Sequence, residues 1–167
     1  MFRAAGSSSH FWLSENTLTP LLSWPDVGGH GHLSLAGKTF GRRGTGNQWF
    51  DQLVLSSTHR RGTVLRAVLN MTIQKGELRV SLDGKQLAPG DGRSGRQPLV
   101  ASMEEDQELY ISAGGLPLRV YASDARKFAS KDVQHKYAHL NLEIRANIPD
   151  NASGIFAELA GVRPLSN

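Results

Sequence analysis

The sequence predicts an all-β protein, an antiparallel β-sandwich or partly closed barrel of about ten short strands. Two observations carry this reading. Apolar and polar residues alternate with a period of two in run after run, which gives a strand one buried and one wet face. Eighteen glycines and seven prolines are scattered among those runs, where turns are needed. At 167 residues, with 39% hydrophobic and 20% charged residues, the chain has a one-domain length and the composition of a folded protein.

The elements follow in order. Residues 1–18 show no periodicity and read as an arm in which Phe11 and Trp12 are the groups able to dock. Leu21-Leu22-Ser23-Trp24 is a short apolar run closed by Pro25-Asp26. Leu33–Leu35 and Thr39-Phe40 read as two short strands around an Ala36-Gly37-Lys38 turn. Trp49–Leu55 is rich in strand formers, and His59-Arg60-Arg61-Gly62 makes a polar turn. Leu65, Ala67, Leu69, Met71 and Ile73 line one face of a long strand. Lys75-Gly76 turns the chain into Leu78, Val80 and Leu82, which Asp83-Gly84 ends with a hairpin signal.

Residues 88–96, APGDGRSGR, read as an exposed loop. Leu99–Met103 and Leu109–Ser112 flank an acidic turn, and Gly114-Gly115 closes a hairpin onto Leu116, Leu118, Val120 and Ala122. The stretch 123–136 is the one compatible with a helix. From His139 to Leu159 the pattern predicts a central hairpin. Leu140, Leu142, Ile144, Ala146 and Ile148 face the core, Pro149-Asp150-Asn151 turns, and Gly154–Leu159 returns as a strand.

That terminal block, with Gly28–Gly41 near the start, resembles the root-cap/late-embryogenesis-like family, which is similar to the von Willebrand factor type D domain. The resemblance implies an arm over 1–27, a type D-like β domain over 28–167 and an extracellular or cell-surface setting. His32 and Gly37 match the histidine and turn-glycine positions, while His30 stands where an acid is expected. Type D domains often carry a calcium loop after the terminal glycine, but residues 162–167 hold no carboxylate, and hard cations need several oxygen ligands.

The chemistry-bearing motifs are sparse. The absence of cysteine removes disulfides, thiolate metal sites and cysteine nucleophiles. Gly37-Lys38-Thr39 lacks the earlier glycine and the following helix of a phosphate-binding loop, and no Gly-x-Ser-x-Gly elbow occurs. The sequence implies no cofactor. Residues 1–14 hold no apolar core of a secretory leader and read as a domain start. No apolar stretch is long enough for a membrane-spanning helix.

The function expected is a non-catalytic structural or interaction module with a protein or polysaccharide partner. A second reading is a polyanion-binding module, for anionic polysaccharide before nucleic acid. From Lys38 to Arg79 eight basic residues stand against Asp51 and Glu77, and Arg42, Arg43, Arg60 and Arg61 with Trp49 are its candidate site. A third is a metal-dependent hydrolase built on His30 and His32, which share one side of an extended segment. Two sequons occur, at Asn70 and Asn151. Asn151, in a turn, is the usable glycan acceptor in a secretory setting.

Overall fold

The computed structural model describes residues 2–4, 7–9, 13–29, 31–41, 48–59, 64–123 and 138–162, with the backbone alone at 2–4, 7–9 and 66. The helix-compatible stretch therefore lies, but for Ser123, outside the described residues, as do Phe11, Trp12 and the 60–62 turn. The fold is all-β and antiparallel, and its main sheet nearly closes on itself. A small hairpin, β1 (Phe2–Ala4) with β2 (Ser7–Ser9), forms a separate two-stranded sheet.

Six strands follow one another as neighbours: β3 (Thr19–Pro25), β4 (Gly31–Gly41), β5 (Gln48–His59), β6 (Leu65–Gln74), β7 (Glu77–Leu82) and β8 (Lys85–Leu87). Five more do the same: β9 (Gly92–Arg96), β10 (Leu99–Met103), β11 (Glu108–Ala113), β12 (Leu116–Ala122) and β13 (Leu140–Ile144). Strand β13 joins the two sets by pairing Leu140 with Phe50 of β5, beyond the point where β6 has left that strand's edge.

Inward-facing residues of both sets merge into one apolar cluster. Leu53, Leu55, Leu69, Met71, Leu109 and Val120 are fully buried within it. Each such side chain contributes about 1.5–3 kcal/mol by leaving water. Trp24 ties the two sets together, because its buried indole Nε1–H donates to the Ala113 carbonyl at 3.0 Å.

Three hairpins close where Lys75-Gly76, Asp83-Gly84 and Gly114-Gly115 predict. Each loop has two residues, both at positive φ, between the pairs Gln74–Glu77, Leu82–Lys85 and Ala113–Leu116. This left-handed pair matches the twist of the flanking strands.

Elsewhere the sequence reading needs correction. No turn interrupts β4 at Gly37; the strand runs straight through from Gly31 to Gly41. The 88–96 loop ends in an edge strand, β9, paired with β10 through the turn at Gln97-Pro98. Leu65 is exposed, because a bulge between Ser57 and Thr58 shifts its register relative to Ala67. The sheet begins before residue 28: Leu21, Leu22 and Trp24 of β3 are buried, and Leu13 exchanges two hydrogen bonds with the Gln48 side chain.

The terminal hairpin is also different. Strand β13 ends at Ile144, Ala146 is exposed, and Gly154–Leu159 returns as the short helix α1 (Ile155–Leu159). Two causes are visible. Ser153 exchanges two backbone hydrogen bonds with Ser23, which covers the free edge of β3. Phe156 and Ala157 are then both buried, and consecutive positions cannot share a face in a strand.

Candidate binding face

The outward positions of β9–β13 line up across the five strands. Cross-strand register sets Arg93 beside Ser102, Ser102 beside Tyr110, Tyr110 beside Arg119 and Arg119 beside Glu143. Since strand residues alternate faces, this is one row of polar side chains over an apolar core.

Arg119 is the centre of the row. Its Nε donates to Glu108 Oε2 at 2.8 Å, its second terminal nitrogen to Glu108 Oε1, and its Nη1 to Glu143 Oε2 at 3.0 Å. The guanidinium also lies 4.6 Å from the centre of the Tyr121 ring. Tyr110 donates its hydroxyl to Glu108 at 2.9 Å, and Tyr121 donates to Glu143 at 3.3 Å. Charge-assisted bonds of this kind hold planar groups in fixed orientations.

The electrostatics follow from these bonds. Donation by Arg119, then by Tyr110, holds the Glu108 carboxyl below its ordinary range. The two carboxylates push the Arg119 guanidinium up. Donation to Glu108 raises Tyr110, and partial burial raises Tyr121. The cluster is therefore a charged platform held by its own hydrogen bonds.

Beside the platform lies an open groove of about 450 Å³, lined by Arg93, Val100, Ser112, Pro117, Arg145 and Tyr110. Arg145 follows β13, and its backbone N–H donates to the Pro117 carbonyl at 2.9 Å. Its guanidinium sits 5.8 Å from the Tyr110 ring centre. Unlike Arg119, neither Arg93 nor Arg145 forms an ion pair among the described residues. At the far side of Tyr110, Glu104, Glu105 and Asp106 form an acidic shoulder around a second depression.

The sequence-predicted sites fare differently. His30, Arg42, Arg43, Arg60 and Arg61 lie outside the described residues. Trp49 is half-buried, with Phe40 and His139 at ring distances of 5.8 and 5.7 Å. Two other cations of the basic stretch are paired, Lys38 with Asp51 at 3.4 Å and Arg79 with Glu77 at 2.6 Å. Gly41 and His59, the described neighbours of the two arginine pairs, stand at opposite ends of the β4–β5 ladder. At strand rise that separates them by roughly 35 Å.

His32 is exposed on β4, its Nε2 2.5 Å from the Ser23 hydroxyl oxygen. The Ser23 backbone N–H is spent on Ser153, and that hydroxyl also reaches the Leu33 carbonyl at 3.2 Å. A nucleophile needs an oriented base, and no acid among the described residues is hydrogen-bonded to His32. No group of three metal-binding side chains occurs among the described residues. Asn151 is exposed in the turn after Pro149, whereas Asn70 lies within β6 and accepts from Gln52 at 2.9 Å.

The cross-strand row itself escaped the sequence reading. Its signal was three outward pairs at spacing two: Glu108 with Tyr110, Arg119 with Tyr121, and Glu143 with Arg145. Comparison with known proteins adds no name to this face, since no family model, curated protein or solved structure matches the chain.

Proposed function

We propose that the chain is a non-catalytic interaction module whose binding face is the outer side of β9–β13. The observation that carries the reading is the groove beside a locked platform. Arg119 is clamped by Glu108 and Glu143, so the sheet surface is fixed before any partner arrives, while Arg93 and Arg145 have no ion-pair partner among the described residues. Such preorganisation lowers the ordering cost of binding. The resemblance of the terminal block to type D domains points to the same class of role, with an extracellular or cell-surface setting as part of the proposal.

The test pairs turnover with binding. Ester, phosphate, glycoside and peptide substrates should be left intact by the protein. A panel of glycans and peptides should yield a ligand that protects β10–β12 amides from exchange and is lost in Tyr110→Ala. Turnover abolished by Ser23→Ala or His32→Ala overturns the reading, as does a ligand that protects only the β4–β6 face.

A further inference from the structure

Resting on that module reading, we infer that the groove between Arg93 and Arg145 takes a sugar acid, one carboxylate-bearing ring on an otherwise neutral glycan. Three features select this chemistry. Two guanidiniums without carboxylate partners among the described residues frame the groove, and a guanidinium matches a carboxylate with two parallel N–H donors. Between them lies the Tyr110 ring, held by the bond from its hydroxyl to Glu108, with the face of a ring that a pyranose C–H face can cover. The volume, about 450 Å³, has room for one or two sugar rings.

The surrounding charge sets the number of anionic groups. Glu104, Glu105 and Asp106 rise at one end of Tyr110, and Glu108 and Glu143 already occupy Arg119. A polymer carrying a charge on every unit, whether nucleic acid or sulfated glycan, would run its next charges into those carboxylates. A single carboxylate seated between Arg93 and Arg145 does not. The hydroxyl of Ser112, which lines the groove and makes no hydrogen bond within the described residues, suits a sugar hydroxyl.

The experiment is a titration of the full chain, followed by amide chemical shifts, with a glucuronate-terminated oligosaccharide, its neutral glucose-terminated counterpart and single-stranded DNA. The acid-terminated sugar should shift residues of β9–β12 and bind about tenfold more tightly than the neutral one. Arg145→Gln and Arg93→Gln should each remove that preference with little change in thermal stability, since neither residue is in an ion pair among the described residues and Arg145 gives up only its contact with the Tyr110 ring. Affinity should change by only about threefold between about 50 and about 200 mM salt, as befits one charge rather than many. No shift with the acid-terminated sugar, equal binding of the neutral one, or preference for DNA overturns the inference. If another ligand of the panel still protects β10–β12 and depends on Tyr110, only the sugar-acid assignment falls. Turnover dependent on Ser23 would remove the module reading as well.

Discussion

Phe50 lays its ring over Gly37. A Cβ at Gly37 would stand 2.5 Å from Phe50 Cε1 and 2.8 Å from Leu21 Cδ1, so the absent side chain is what lets β3, β4 and β5 close on each other. Here β5 passes from its pairing with β6 to its pairing with β13, and Phe50 is the residue that pairs with Leu140. Gly37→Ala should therefore destabilise the fold by about 1–3 kcal/mol through overpacking. Gly84→Ala, at a positive φ but with open space around it, should cost only about 1 kcal/mol. Urea denaturation of the two variants checks the order.

Trp24 tests the tie between the two strand sets. Trp24→Phe keeps most of the buried ring but leaves the Ala113 carbonyl without its donor. The loss of that hydrogen bond should cost about 1–3 kcal/mol, in addition to the cost of the smaller ring. Equal stability of the variant and the parent chain would show that Trp24 does not join the sets.

Ser57 is a test in the other direction. Its hydroxyl is fully buried and has no hydrogen-bond partner among the described residues. Ser57→Ala removes an uncompensated polar group and should raise stability by about 1 kcal/mol. A thermal melt that falls instead would reveal a partner for that hydroxyl.

Glu108 predicts an acid-side response. Its carboxyl is held below the ordinary value of 4.5, so it binds fewer protons in the folded state than in the unfolded chain. The stability it contributes is present above that ordinary value and drains away as pH falls through the lower, folded value. Glu108→Gln should lie below the parent chain in stability at neutral pH, and the two should converge on acidification. Parallel curves down to strong acid would contradict the Arg119 pairing.

Leu140 and Leu142 separate burial from periodicity. The alternating pattern gives both residues to the core, yet Leu140 is 2% exposed and Leu142 is only half-buried. Leu140→Asp should cost several kcal/mol, on the order of 3–5, and Leu142→Asp distinctly less. Comparable losses on chemical denaturation would overturn that distinction.

By itself the sequence determined whatever rests on local chemistry. Lys75-Gly76, Asp83-Gly84 and Gly114-Gly115 each adopt the left-handed pair that such dipeptides favour, and period-two alternation marks the core residues of β7, β10, β11 and β12. Tertiary structure decided whatever depends on partners distant in the chain. Gly37 carries the local signal of a turn, but long ladders on both sides of β4 and the Phe50 ring above keep it extended. Gly154–Leu159 has the composition of a strand, yet Ser153 bridges to Ser23 and the chain then coils to bury both Phe156 and Ala157. The platform is of the same kind: Glu108, Arg119 and Glu143 are ordinary surface residues until strand register, set by hairpins that close the core, brings them side by side. Alternation tells which face a side chain takes; only pairing across strands tells whom it meets.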